Sequence, residues 1–180
     1  MFKTNKKLKS KDAFSLVEAL VAISILIIGI LSAFILVIRT LGNTPNIQSR
    51  LIAANLAQEG MELVRQIRDT NFVRQSGFRN ELSNGEYQID IVNRELVSFN
   101  KNDFLKFDDE KKIYSYSSGN NQPFFFQRKI VINNVEENPD VFKVNVIMTW
   151  CVKKNEEQCL QDPTYTLNIE DHLYNYRMID

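Results

Sequence analysis

Glu18 is the one charged residue between Phe14 and Ile38. An ionised carboxylate at the edge of an apolar run costs free energy and calls for a partner of opposite charge. Two other residue groups could do chemistry. Cys151 and Cys159 flank "VKKNEEQ". Outside the cytoplasm two such cysteines pair as a disulfide closing a short loop; inside it they stay as free thiols. Such a loop adds roughly 2–3 kcal/mol. No second histidine or basic cluster marks either thiol as a nucleophile. Glu59, Glu62 and Arg65 form a polar group at helical spacing, and pairs of this kind on a surface add only about 0.2–0.5 kcal/mol. His172 stands beside Glu170 and Asp171, a surface pattern with too few ligands for a metal. Two cysteines and one histidine do not make a four-ligand zinc site. There is no Ser/His/Asp set, no phosphate-binding loop and no dinucleotide fingerprint. These absences predict a non-enzyme without a cofactor.

The segment that holds Glu18 sets the topology. Ala19 to Ile38, "ALVAISILIIGILSAFILVI", is uncharged over twenty residues. As a helix it spans about 30 Å, the hydrocarbon thickness of a bilayer. Ser24 and Ser32 can bond back to the preceding turn. The run is too long for the apolar core of a cleaved secretory signal, and no Ala-x-Ala site follows it. The first thirteen residues carry five lysines against Asp12, a net of +5 − 1 = +4. The whole chain has zero net charge, so the remainder carries 0 − 4 = −4. Basic residues before the span predict a cytoplasmic N-terminus and an exported remainder. No basic stripe with interleaved aromatics supports nucleic-acid contact.

The stretch "KDAFSLVEALVAI" resembles the N-terminus of type IV prepilins and type II secretion pseudopilins. That family has a short basic leader ending in a small residue, then phenylalanine, a few apolar or hydroxyl residues, a glutamate, and about twenty apolar residues. The resemblance implies a leader at 1–13, cleavage between Ala13 and Phe14 by a prepilin peptidase, and N-methylation of Phe14. It makes Glu18 the fifth mature residue. It implies that Glu18 meets the charged N-terminus of Phe14 on a neighbouring subunit in a filament. Opposite charges in low dielectric attract strongly, and one buried pair in an apolar bundle fixes register. Ala13 departs from the glycine usual in the family.

The expected fold class is α+β and pilin-like. A transmembrane or filament-core helix covers 14–40, and an extracytoplasmic head covers 41–180, with an antiparallel sheet packed on the C-terminal half of the helix. Gly29 allows bending or close helix packing. "TLGNTPNIQ" at 40–48 predicts a kink or melted stretch, or a helix end with a new helix at Pro45. An amphipathic helix of about 46–70 follows, with Ala53, Leu56, Ala57, Gly60, Val64 and Ile67 on one face. The segment "LAQEGMELVRQIRDTNF" also resembles its counterpart in minor pilins. Strands are expected in "GEYQIDIVN", "KIYSYS", "FFFQRKIVINNV", "VFKVNVIMTWCV" and "TYTLNIEDHLYNY". "NNVEENPD" and "KKNEEQCLQDP" are expected turns, and 94–123 an open loop.

The functional expectation is a minor pilin or pseudopilin, assembled into a type IV pilus or a type II secretion-like pseudopilus. A competence pseudopilus for DNA uptake shares the same N-terminus. The expectation from another class is a single-span membrane protein with an exported binding head and no filament. The partners implied are the prepilin peptidase, other pilin subunits, the inner-membrane assembly platform and membrane lipid.

Overall fold

The computed structural model describes residues 15–120, 124–135, 138–152 and 155–176. Ala13 and Phe14 lie outside them. Helix α1 runs Leu16–Arg74, 59 residues. Its large apolar side chains from Leu16 to Ile38 are exposed. By length and composition this part is sufficient to cross a membrane. The hydroxyls of Ser24 and Ser32 donate to the carbonyls of Leu20 and Ile28, each at 2.8 Å. They need no water, as hydrocarbon demands.

Neither the melted stretch nor the helix end expected at 40–48 is there. α1 continues through Pro45, and the amphipathic helix expected from about 46 is its second half. Pro45 has no N–H to give the carbonyl of Leu41. The preceding turns carry extra bonds: Thr40 Oγ1 donates to Leu36 O at 2.9 Å and Thr44 Oγ1 to Thr40 O at 3.4 Å. Two compact units nevertheless divide between Thr44 and Pro45. α1 stops where Gln75 turns left-handed, φ 57°. Ser76 N–H then bonds to Asn71 O (3.1 Å) and Gln75 N–H to Phe72 O (3.2 Å), the double bond pattern that closes many helices.

The head holds seven strands: β1 Gly85–Ile89, β2 Leu96–Ser98, β3 Lys106–Asp108, β4 Ile113–Ser115, β5 Phe124–Val135, β6 Asn138–Val152 and β7 Tyr165–Tyr174. A short helix α2, Glu156–Gln161, joins the last two. Five strands form one sheet in the order β2-β1-β5-β6-β7, with every neighbouring pair antiparallel. β3 and β4 form a separate ribbon. The inner row of β6 is Phe142, Val144, Val146, Met148 and Trp150, the alternation the sequence predicts. It packs with Ile130, Ile132 and Phe126 of β5 on Ala53, Leu56, Ala57, Met61 and Val64 of α1. The alanines allow that close approach. The protein is therefore α+β, with an antiparallel sheet on the C-terminal half of its long helix.

Within 94–123, β4 falls inside the expected strand "KIYSYS", while the part expected as a loop also contains β2 and β3. β2 and β3 are three residues each, too short for alternation to show. β1 ends sooner than expected because Asp90 turns the chain. Its Oδ1 accepts from Val92 N–H at 3.1 Å, and Arg94 N–H bonds to Asp90 O at 2.8 Å. α2 replaces part of an expected turn. Asn155 and Gln158 bond each other's backbone N–H reciprocally, which seeds a helix in "NEEQCLQ".

Candidate assembly interface

Glu18 sits in the first turn of α1, where a carboxylate complements the helix dipole, and it is exposed. Its expected partner, Phe14, lies outside the described residues. Around Glu18 the apolar side chains of α1 are uncovered, so this part of the helix requires lipid or other helices.

Beyond Pro45, α1 is fastened to the sheet by polar bonds. The inner row of β5 reads Phe124, Phe126, Arg128, Ile130, Ile132, all buried. Arg128 has no exposed surface. Its Nη1 donates to Leu56 O (2.9 Å) and to Glu59 Oε1 (2.8 Å), and its Nη2 to Ile89 O (2.7 Å). One guanidinium thus joins α1, β5 and β1. Its Nε has no hydrogen-bond partner. Gly60 gives the arginine its path along the helix: a β-carbon there would stand 2.7 Å from Arg128 Cδ. Tyr116 donates its hydroxyl to Arg128 O at 3.0 Å. Burial pushes the Tyr116 phenol up to about 12.

Further bonds pin both ends of this helix segment. Trp150 Nε1 donates to Ser49 Oγ (3.1 Å), with both residues buried. Arg65 donates through Nε (3.1 Å) and Nη2 (2.6 Å) to Asp171 Oδ2 of β7. That bond, more than the Glu62 carboxylate beside it, raises the Arg65 guanidinium further above its ordinary value. Arg68 is buried, its guanidinium 4.9 Å from the Tyr176 ring centre and its Nη2 2.8 Å from Asp69. Glu59 and Arg65 therefore serve as ties between helix and sheet, while Glu62 accepts from Arg65 Nη1 within the helix at 3.2 Å. Glu59, Glu62 and Arg65 line an open groove of about 670 Å³ with Met61, Glu170 and Asp171, where carboxylates outnumber the one arginine.

Cys151 and Cys159 are bonded to each other, with both residues buried. Phe125 and Phe104 pack on the bridge. Phe125, on the outer face of β5, is thus half covered by the protein itself. His172 is exposed on β7. Among the described residues no group of three metal-binding side chains comes together.

No protein family, no curated protein and no solved structure matches this chain. The architecture alone is pilin-like. It consists of one long N-terminal helix, apolar and exposed in its first half, with an antiparallel sheet on its second. An apolar helix able to span a membrane and a disulfide in the head agree with a membrane-bound, extracytoplasmic protein.

Sequence reasoning placed the helix face and missed its anchor. The signal for Arg128 was present: it falls in phase with the apolar row of "FFFQRKIVI" and so must point inward. Gly60 falls on the predicted helix face, but no local pattern names the Arg128 side chain that passes it.

Proposed function

We propose that this protein is a minor pilin or pseudopilin, a structural subunit rather than an enzyme. One observation carries the reading: the long helix is exposed and apolar before Pro45 and bears an antiparallel sheet after it. The prepilin-like stretch around Glu18 supports it. In this reading a prepilin peptidase removes residues 1–13 and methylates Phe14. The helix waits in the cytoplasmic membrane with its head outside. The assembly platform then lifts it into a pilus or pseudopilus, where Glu18 pairs with the amino terminus of a neighbouring subunit.

The test is the N-terminal mass of the chain recovered from its own cells. A chain starting at methylated Phe14 is the expected result. An intact Met1 terminus, in cells that process their other prepilins, would reduce the protein to a single-span anchor with an exported head.

A further inference from the structure

The two edges of the sheet differ. β2 has three residues and β7 ten. A long edge strand offers unpaired backbone groups to any chain that reaches it, and proteins commonly guard such edges with proline, bulges or outward charges. β7 contains no proline, and its pairing with β6 has no register shift. Its acid at Glu170 is drawn back across the sheet to Lys143 (2.8 Å) and Asn145 (3.0 Å).

The orientation of the free groups follows from the register. Asn175 N–H bonds to Asp140 O, so Leu173, Asp171, Ile169 and Leu167 turn their backbone groups toward β6. Thr166, Asn168 and Glu170 then present theirs at the open edge. His172 would continue the row, but its N–H is taken by Asp171 Oδ1 at 2.9 Å. The open run therefore ends after Glu170. On the opposite edge, Phe99 N–H bonds to Glu86 O, so Val97 faces β1 while Leu96 and Ser98 face outward.

We propose that the open edge of β7 receives β2 of a second copy of this chain as a parallel strand, continuing the sheet from head to head. The proposal rests on the filament reading above. Four antiparallel steps separate β2 from β7, so the two edges run in the same direction. Copies standing side by side with parallel helices therefore set β7 against β2 in parallel. Parallel pairing interleaves the outward residues. Leu96 falls between Thr166 and Asn168, and Ser98 between Asn168 and Glu170, which sets Val97 beside Asn168. Lys101, just past β2, has no ion pair among the described residues and comes to the acidic end of β7, near Glu170 and Asp171.

A two-fold pairing of β7 with itself is closed to anchored chains. β7 runs alongside α1, from Asn46 against Tyr165 to Arg68 against Tyr176. Antiparallel β7 strands would put the two Pro45 ends at opposite ends of the pair, and both must reach one membrane. The β7–β2 contact is head-to-tail, so each copy in a pair keeps one free edge, β7 or β2, for a further copy.

The experiment uses full-length chains carrying N168C or V97C, produced together in their own cells, with T166C as a second β7 probe. Both side chains lie exposed on the outer face of the sheet, and the native cysteines are bonded and buried. Filaments are sheared, oxidised and run without reductant. The expected result is a reducible dimer from the mixed chains that neither single variant gives. Filaments containing both variants without that dimer, or with N168C joined to itself, would overturn the edge pairing and leave the filament reading intact. Absence of the chain from filaments, when its head resists protease as the unsubstituted chain does, would overturn both.

Discussion

A β-carbon on Gly60 would stand 2.7 Å from Cδ of Arg128 and 3.2 Å from Cγ1 of Val146. Glycine in mid-helix costs about 1 kcal/mol against alanine. Here the cost is offset by the passage it opens for a buried guanidinium. Gly60→Ala is therefore expected to destabilise the head by about 1–3 kcal/mol, despite the better helix propensity. The check is thermal unfolding of the detergent-solubilised chain. In an Arg128→Met background the same substitution should cost clearly less, because the two sites share one space. Equal costs in both backgrounds would remove Arg128 as the reason for Gly60.

Tyr116 reports on the same anchor through pH. Its hydroxyl bonds Arg128 O, and its folded-state value of about 12 stands above the ordinary 10.0. The unfolded chain therefore loses this proton first as pH rises. The contribution is intact below pH 10 and falls between about 10 and 12, with a slope near 1.4 kcal/mol per pH unit for one proton. Tyr116→Phe should cost about 1 kcal/mol at neutral pH and flatten that alkaline fall. Denaturant unfolding at stepped pH measures both. An unchanged alkaline slope in Tyr116→Phe would move the effect to another group.

The disulfide is a local clamp. It closes a loop of eight-residue separation around α2, with both cysteines buried beside Phe125 and Phe104. Replacing both cysteines by alanine should lower stability by about 2–3 kcal/mol and leave the sheet folded. In the native chain, reductant alone should yield few maleimide-reactive thiols until denaturant is added. Ready labelling under native conditions would contradict the burial.

Glu18 is the site on which the functional reading turns. Glu18→Ala should insert and be processed normally, since the change makes the span more apolar. It should be lost from sheared filaments while the membrane pool persists. Normal incorporation of this variant would refute the docking role.

What could be read in the sequence followed the length of the signal. Twenty uncharged residues announce a long apolar helix, and the inward row from Phe142 to Trp150 announces a strand without help from its neighbours. β2 and β3 span less than two periods of alternation and left no such mark. The continuity of α1 through Pro45 was hidden for another reason. A proline scores as a break in isolation, whereas the outcome depends on the bonds of the surrounding turns. The anchor at Arg128 was half visible. Its inward phase is written in β5, but its acceptors, Leu56 O, Glu59 and Ile89 O, come from segments 39 to 72 residues away. No local pattern can state such a meeting.

Ile47 and Leu51 lie one turn apart on α1, past the apolar span, and are 67% and 63% exposed. The sheet does not need them, because Ser49, Ala53 and Leu56 face it from the same segment. Neither does lipid cover them if the membrane ends near Arg39. In the filament reading their cover is a helix of a neighbouring subunit, present only after assembly. The double variant Ile47→Ser, Leu51→Ser should therefore leave the stability of the head within about 0.5 kcal/mol, as exposed positions do. It should reduce the share of the chain found in filaments. A large loss of stability would mean that the head itself covers this pair. Unchanged stability with unchanged incorporation would mean that the subunit contacts lie wholly before Pro45.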